Sequence, residues 1–304
     1  MPSKIEWTDE TWPVVTGCSH AGGPGCDNCY AARMAATRLR RHPRYEGLAT
    51  IKDGQAKWTG KVRLNHDVLD QPLRWRKPRR VFVASMGDLF HEGVPFEFID
   101  LVFLTMTACN GLHTFQVLTK QPERMLEYFN NRQYYSSPQY HAHALPNVWL
   151  GVSVENQATA DERREYLWQC PAAVKFVSYE PALGPIDWTG WEFVSQIISG
   201  GESGPGARPS HPDWHRATRD FCQENKIAYF LKQWGGWVPN EHGCGGDYHF
   251  NSKHVCLNLA GEVFDGWMEA HGEHIAILAK ASKKAAGHLL DGRAWQQFPN
   301  RREK

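Results

Sequence analysis

The most constraining feature of the sequence is a short loop that holds three of its eight cysteines. Cys18, Cys26 and Cys29 are spaced C-x7-C-x2-C, and the residues between them are mostly Gly, Pro, Ser, Asp and Asn. These residue types form tight turns and allow positive φ angles at low steric cost, so several thiolates can converge on one point. The loop therefore predicts a metal site.

Three thiolates leave the kind of metal open. A structural zinc ion takes four ligands, and His20 could supply the fourth. A [4Fe–4S] cluster held by three cysteines keeps one iron open for another ligand. A disulfide with a spare thiol is the third alternative. The loop is short, rich in glycine and begins at the end of a predicted strand, which favours the cluster.

The loop is expected to connect a strand to a helix. Residues 12–16 predict a short strand. Residues 30–39 are rich in Ala, Arg, Met and Leu and contain no Gly or Pro, so they predict a helix. The order strand, cysteine loop, helix is the first of several similar units.

Apolar runs followed by polar residues recur along the chain and predict six further strands, several of them followed by a helix. These runs are residues 80–85, 113–118, 147–152, 174–178, 196–199 and 227–231. Alternating strands and helices favour parallel strands joined by right-handed crossovers. Seven strands in this length predict an α/β fold with a complete or partial (β/α) barrel.

In such barrels the carboxyl ends of the strands build the active site. The predicted strand ends carry Cys18, Asp88, Lys120, Ser153, Glu155, Glu180, Glu202, Lys232 and Gln233. Any one of these residues could cap a helix or face solvent. As a set they are too polar and charged for turn chemistry alone, so they predict a binding or catalytic site.

Two regions are expected: a barrel over residues 1–238 and a Gly- and His-rich cap over 239–304. Loose C-x11-C spacing in the cap leaves a second, small metal site as an alternative. Its candidate ligands are Cys244, Cys256, His242, His249 and His254. Cys109, Cys170 and Cys222 are predicted to be ordinary core residues.

Charge and hydropathy limit the classes of partner. The net charge of +1 gives no global signal for binding polyanions, although residues 38–44 and 74–80 are local basic runs. Each run is interpreted as a solvated face or as a nucleic-acid contact, with Trp75 as a stacking surface. No signal peptide or membrane span is recognised, so a cytosolic protein without disulfides is expected.

Several blocks of this sequence resemble one known family. They are WPVVTGC at 12–18, PGCDNCYA at 24–31, SMGDLFH at 85–91, LTKQPERM at 118–125, GVSVE at 151–155, GGESGP at 200–205, KQWG at 232–235 and LDGR at 290–293. The chain resembles the phage-associated three-cysteine-motif proteins, a family of unknown function. That family is similar to a divergent branch of the radical S-adenosylmethionine (SAM) enzymes, although the first cysteine gap here is longer than in C-x3-C-x2-C.

The resemblance implies a partial barrel in which Cys18, Cys26 and Cys29 hold three irons of a [4Fe–4S] cluster. The fourth iron would bind SAM, whose reductive cleavage starts radical chemistry. SAM-binding residues are then expected among Ser153, Glu155, Glu180, Gly200, Gly201 and Glu202. Lys120 and Lys232 are expected to be catalytic, and Asp88, Gln233 and Trp234 to contact substrate.

Partners follow from the same resemblance. It implies an electron donor of the flavodoxin or ferredoxin type and a protein from an adjacent gene. Phage association and the basic runs favour a nucleic acid or nucleotide as substrate. Two alternatives remain open: a zinc-stabilised nucleic-acid-binding protein without redox chemistry, and a hydrolase that uses the carboxylates at the strand ends.

Overall fold

The protein contains a seven-stranded parallel sheet, seen here in a computed structural model. The structure describes residues 3, 5–20, 22–132, 144–240, 253–265 and 270–299. The strands of the sheet are β1 Glu10–Trp12, β2 Arg80–Val83, β3 Thr114–Thr119, β4 Val148–Val154, β5 Val174–Tyr179, β6 Gln196–Gly200 and β7 Ala228–Gln233. They follow one another in sequence order, with β1 and β7 at the edges. The predicted α/β class with a partial barrel sheet is thereby confirmed.

Most crossovers between these strands contain a helix, as parallel pairing requires. The helices are α1 Tyr30–Ala36, α2 Phe96–Ala108, α3 Pro122–Arg132, α4 Gln157–Gln169 and α5 Pro212–Glu224. The connection from β5 to β6 is different, because residues 180–195, all of them described, form no helix. It buries Trp188 and Trp191 instead, and the Trp188 indole nitrogen donates to the Thr218 hydroxyl at 3.0 Å.

The strands are continuous apolar runs in the sequence because their residues are buried. All seven residues of β4 are buried, and so are the five residues of β6. A parallel sheet covered on both faces selects such continuous apolar segments. Cys109, Cys170 and Cys222 are buried beside this sheet or its helices, as predicted.

The predicted first strand, residues 12–16, is wrong in its bounds. The parallel strand β1 ends at Trp12, because Pro13 has no N–H to donate and the Val14 N–H turns back to the Trp12 carbonyl at 3.0 Å. Val15–Thr16 instead pairs antiparallel with Arg63–Leu64. The cysteine loop therefore begins after this small antiparallel pair.

Other element ends also shift from the prediction. Helix α1 ends at Ala36 rather than at residue 39, where the Thr37 hydroxyl donates back to the Arg33 carbonyl at 2.6 Å. Strands β4 and β7 extend further than predicted, so Ser153, Lys232 and Gln233 lie within strands and not beyond their ends. Lys120 does directly follow β3.

A two-stranded hairpin lies between α1 and β2 in the chain. Ala49–Lys52 pairs with Gln55–Trp58, and Asp53 and Gly54 turn the chain with φ angles of 52° and 74°. Positive φ at both turn residues matches the right-handed twist of the strands, which is why Asp-Gly is favoured there. The hairpin packs against α1.

The chain divides into two compact units. The first comprises Met1–Ser153 and Arg163–Phe176, and the second comprises Val154–Glu162 and Val177–Lys304. The second unit includes an antiparallel sheet of Trp237–Pro239, Ala276–Lys280, His254–Leu257 and Val263–Phe264. The boundary at residues 238 and 239 stays a prediction. Among the described residues, no helix has the length and apolarity needed to cross a bilayer.

The backbone passes through a tight point just before the first cysteine. Gly17 has φ of 92° and a parallel bridge to Gly87, and its N–H donates to the Met86 carbonyl at 3.1 Å. A Cβ atom on Gly17 would lie 2.3 Å from the Lys61 carbonyl oxygen. Only glycine satisfies both the dihedral angle and the space.

We expect Gly17→Ala to destabilise the fold strongly. The positive φ and the backbone clash together should lower the free energy of unfolding by about 3 kcal/mol. Gly60→Ala is the matched control, because Gly60 also has positive φ but open space around it, and should cost about 1 kcal/mol. Urea denaturation of both variants measures the difference, and equal losses would show that the clash is relieved without cost.

Candidate metal and cofactor site

The first unit contains a cavity of about 270 Å³ that the three loop cysteines line together. Asp88, Lys120 and Ser153 also line it, so the cavity lies at the carboxyl ends of β2, β3 and β4. Its volume is close to the lower end of the range of small-molecule sites, about 300 Å³. Six of the residues that the sequence assigned to a site therefore share one cavity.

Local hydrogen bonds shape the cysteine loop. A short 3-10 turn, Pro24–Cys26, lets the Cys26 thiol donate to the Gly22 carbonyl at 3.4 Å. Cys29 is the N-cap of α1, and its sulfur accepts from the Ala32 N–H at 3.5 Å. These contacts fix the positions of the Cys26 and Cys29 sulfurs in the loop.

The Cys18 thiol interacts electrostatically with the other two cysteines of the loop. Burial raises the pKa of the Cys18 thiol, and the negative charges of Asp88, Cys26 and Cys29 raise it further. A thiol in such surroundings keeps its proton until a cation compensates the thiolate charge. A positively charged metal centre among the three sulfurs would supply that compensation.

The donor set fits a [4Fe–4S] cluster chemically. Three free cysteines of intermediate exposure line one cavity. In such a cluster the thiolates bind different irons, so their sulfurs need not meet at a single ion. Within the described ranges, no group of three or more His, Cys, Asp or Glu side chains is arranged to hold one metal ion. The alternative site with Cys244, His242 and His249 lies outside the described residues.

Hydrogen bonds to Asp88 connect the ends of β2 and β3. Its carboxylate accepts from the Thr119 hydroxyl at 2.8 and 2.9 Å and from the N–H groups of Phe90 and Lys120, each at 3.0 Å. Burial raises the pKa of Asp88, while these hydrogen bonds oppose the rise. The contacts fix the loops after β2 and β3, and the predicted substrate contact of Asp88 stays a prediction.

A fully buried arginine connects the cysteine loop to β4. The Arg163 guanidinium donates to the Ser153 carbonyl at 2.7 Å and to the Gly22 carbonyl at 3.5 Å. Gly22 is also the acceptor for Cys26, so one carbonyl joins the arginine to a metal-ligand candidate. The sequence analysis missed Arg163, because a single arginine in a polar helix carries no pattern that separates it from its exposed neighbours.

The cavity is also lined by residues to which the sequence analysis assigned no site role. Lys57 and Trp58 of the hairpin line it, and so does Tyr30 at the start of α1. The Tyr30 hydroxyl donates to the Ser85 carbonyl at 2.8 Å and so links the helix to the loop after β2.

In the second unit, Glu180 and Lys232 form an ion pair with a distance of 2.7 Å. Both side chains are more than four-fifths buried. Gly200, on the strand between them, allows this pair, because a Cβ atom there would lie 3.2 Å from the Glu180 carboxylate. The predicted catalytic and SAM-binding roles of the pair are untested and remain predictions.

Glu202 contacts a neighbouring arginine. Its carboxylate accepts from the Arg208 backbone N–H at 2.9 Å and from the guanidinium at 2.6 and 2.9 Å. Gly201 lies against protein backbone, since a Cβ atom there would be 2.0 Å from the Trp234 carbonyl oxygen. A neighbouring chain segment therefore occupies the space beside Gly201, and a SAM contact of Glu202 or Gly201 stays a prediction.

The three remaining predicted residues of the second unit are also buried. The Trp234 indole donates to the Leu289 carbonyl at 2.8 Å, and its ring meets His215 edge to face at 4.9 Å. The Gln233 side-chain amide lies 3.4 Å from the Gly201 carbonyl. Glu155 is fully buried, and its N–H donates to the Thr159 hydroxyl at 2.8 Å. These contacts position the residues, and their ligand contacts remain predictions.

A serine–histidine pair in this unit resembles a hydrolytic nucleophile only in composition. His215 contacts the Ser199 hydroxyl at 2.6 Å and the Ser210 hydroxyl at 2.8 Å. Ser199 and His215 are fully buried, so the geometry offers a substrate no access to the serine. Burial lowers the pKa of His215 from 6.5 to about 3, which keeps the ring neutral.

We expect His215 to make the stability of the fold depend on pH. Between about pH 3 and 6.5 the unfolded state binds a proton that the folded state excludes. The free energy of unfolding should be at its full value above pH 6.5 and decrease by up to about 1.4 kcal/mol per pH unit below it. Denaturation between pH 4 and 7 should show a shallower slope in His215→Asn, while the exposed control His42→Asn should keep the wild-type slope.

Arg163→Met should loosen the cysteine loop. Methionine keeps much of the volume but leaves the Gly22 and Ser153 carbonyls without this donor, at a cost of about 3 kcal/mol in unfolding free energy. Hydrogen exchange of the amides of residues 22–26 should accelerate. Arg164→Met, one position along the helix and partly exposed, is the control. Unchanged loop exchange in Arg163→Met would show that Arg163 does not hold the loop.

Comparison with known proteins identifies a family without an established function. Solved structures of spore photoproduct lyase are similar at low identity. A cysteine-to-alanine variant with dinucleoside spore photoproduct matches at 12% identity over 94% of this chain and 72% of that chain, with a TM-score of 0.44. A second complex with the same ligand matches at 12% identity over the same shares, with a TM-score of 0.42. A double variant with bound AdoMet matches at 11% identity over 90% and 69%, with a TM-score of 0.39.

These similarities are too distant to indicate an activity. No curated protein matches the chain. The family model described as "Protein of unknown function (DUF5131)" matches residues 2–299. The chain therefore belongs to the DUF5131 family.

Proposed function

We propose that this protein is a radical SAM-type enzyme. In this proposal Cys18, Cys26 and Cys29 hold a [4Fe–4S] cluster, and SAM binds beside it. One observation carries the proposal: three free thiols line a single cavity at the carboxyl ends of parallel strands in an α/β barrel sheet. That edge of such a sheet is where catalytic groups are found in barrel enzymes.

The bound cluster would supply one-electron reduction of SAM, which is chemistry that protein side chains do not provide. The chain's own residues would bind and orient. Lys120, at the cavity wall, would meet a carboxylate, and the buried Ser153 would contact SAM from the end of β4. The structural contacts of Asp88 and Arg163 would keep the loops that present the cysteines in place.

The proposal also assigns roles to individual residues of the second unit. Glu155, Glu180 and Glu202 would accept hydrogen bonds from SAM, with Gly200 and Gly201 beside them. Lys232 would act in catalysis, and Gln233 and Trp234 would face substrate. The buried Glu180–Lys232 pair supports a functional assignment because two charges held this far from water carry a desolvation cost.

The proposal requires partners. Reduction of a cluster needs an electron donor, for which a flavodoxin or ferredoxin is the chemical class, and a protein from an adjacent gene is a further candidate. The seven described cysteines are all free, which fits the reducing cytoplasm that we propose as its location. The local basic runs support a nucleic acid or nucleotide as the substrate.

Loss of any loop cysteine should abolish cluster assembly. Anaerobically reconstituted wild-type protein should be brown, with iron and sulfide in equal amounts. Cys18→Ala, Cys26→Ala and Cys29→Ala should each remain nearly colourless with little bound iron. Cys109→Ala and Cys222→Ala are matched controls, since both thiols are buried away from the cavity, and should keep the colour.

The same preparation separates the proposal from its alternative. A colourless wild-type protein that contains one zinc ion would contradict the enzyme and support a zinc-stabilised nucleic-acid-binding protein. Wild-type iron and sulfide content in any of the three loop variants would contradict the assignment of the ligands.

A further inference from the structure

The two basic runs of the sequence differ in how many of their cationic side chains form ion pairs within the protein. In the run at residues 74–80, Arg74 pairs with Asp70, Arg79 with Glu10 at 2.9 Å and Arg80 with Asp9 at 3.2 Å. Arg79 also lies 5.3 Å above the Trp75 ring. Much of this run's charge is therefore neutralised within the protein.

The run at residues 38–44 keeps its charge on the surface. Arg38, Arg40 and Arg41 are exposed, and in the part of the chain that the structure describes none of the three forms an ion pair. Only Arg44 does so, with Asp67. A surface cation without an internal partner is available to an external anion.

These arginines belong to a longer stretch of concentrated charge, which we call the basic segment, residues 30–62. It contains eight Lys and Arg residues and two acidic residues, whereas the whole chain has a net charge of +1. Besides the arginines, the lysines Lys52, Lys57 and Lys61 are exposed on it. The basic segment thus carries six more positive than negative charges, five more than the chain as a whole.

Hydrogen bonds hold the basic segment in shape. The Arg63 guanidinium donates to the carbonyls of Pro43 and Glu46, and the Thr16 hydroxyl donates to the Arg44 carbonyl at 2.8 Å. The Thr59 hydroxyl bonds to the Leu48 carbonyl at 3.0 Å. A surface that is already ordered loses less entropy on binding a ligand.

The basic segment ends at the cysteine cavity. Gln55, Ala56, Lys57 and Trp58, the second strand of its hairpin, line that cavity together with Cys18 and Cys29. Trp58 is half-buried and lines the cavity, and its sequence neighbour Lys57 is exposed. Exposed cations and an aromatic side chain on one segment are the features of sites that bind single-stranded nucleic acid.

The concavity of the site selects the form of the ligand. A base inside a duplex is stacked and cannot reach the bottom of a cavity, whereas an unpaired base can be presented to it. The phosphates that flank such a base would lie where the exposed arginines and lysines are. An acidic protein surface could also meet these cations, so an acidic peptide is included as a competitor in the test below.

We propose that the basic segment is a binding surface for single-stranded nucleic acid and that it delivers one unpaired base to the cysteine cavity. Arg38, Arg40 and Arg41 contact phosphates, and Trp58 stacks on the base with Lys57 at its adjoining phosphate. The substrate class named here rests on the proposed function, while the binding itself does not require the cluster.

The test measures binding of a labelled single-stranded oligonucleotide of about ten nucleotides by fluorescence anisotropy at several salt concentrations. The variant Arg38→Ala/Arg40→Ala should bind more weakly. The negative slope of log affinity against log salt should become less steep by about 1.4, or about 0.7 for each lost contact. Arg76→Ala/Lys77→Ala, which removes two exposed cations from the other run, should leave the slope unchanged. Equal losses in both variants would overturn the assignment to the basic segment.

Trp58 gives a second, independent readout. Trp58→Ala should weaken binding on the order of ten-fold at unchanged salt slope, and Trp58→Phe should restore most of it, because stacking depends on the ring and not on charge. A duplex of the same sequence should bind more weakly than the single strand. Tighter duplex binding, or an unaffected Trp58→Ala, would overturn the delivery of a base to the cavity.

Each measurement is made with reconstituted protein and with protein that lacks the cluster. If the cluster assembles and no salt-dependent binding occurs, the nucleic-acid surface is wrong while the enzyme proposal stands. If the binding depends on the basic segment and no cluster assembles, the surface stands while the radical SAM proposal fails. An acidic peptide that competes as well as the oligonucleotide would also overturn the surface proposal.

Discussion

The close approach of two backbone segments at Gly17 and Gly87 is the constraint on which the cysteine cavity depends. The carbonyl of Gly17 would lie 3.0 Å from a Cβ atom on Gly87, and a Cβ on Gly17 would meet the Lys61 carbonyl at 2.3 Å. The backbone segments that contain Gly17, Lys61 and Gly87 therefore lie close together. Cys18 and Asp88 are the residues that follow the two bridged glycines. Larger residues at either glycine would separate the first cysteine from the strand ends that form the rest of the cavity.

Each unit contains a buried carboxylate that contacts groups from another strand of the sheet. In the first unit the Asp88 carboxylate accepts from Thr119 and Lys120 and so joins the ends of β2 and β3. In the second unit Glu180 and Lys232 pair across the strand that carries Gly200. A buried charge without a partner would cost several kcal/mol, so these contacts restrict where each loop can lie.

Much of the fold could be predicted from the sequence, because buried parallel strands appear as continuous apolar runs. The ends of elements could not, since Pro13 stops β1 early and β7 continues through Lys232 where polarity suggested a loop. In the site, the spacing of the cysteines predicted that the three would lie together, and all three line one cavity. Arg163 and the hairpin at residues 49–58 were missed, because burial and lining of a cavity are tertiary properties that single residues do not reveal.

The two basic runs show why charge in a sequence is a poor guide to charge on a surface. Both contain several arginines in seven residues, and the sequence gives no reason to separate them. The difference between the runs comes from carboxylates that are distant in the sequence. Asp9 and Glu10, at the start of β1, pair with Arg80 and Arg79 of the run at residues 74–80. The run at residues 38–44 lies next to α1 and the hairpin, where only two acidic residues occur. Positive charge therefore remains on the segment whose hairpin also lines the cavity, and this charge would attract an anionic ligand to that surface.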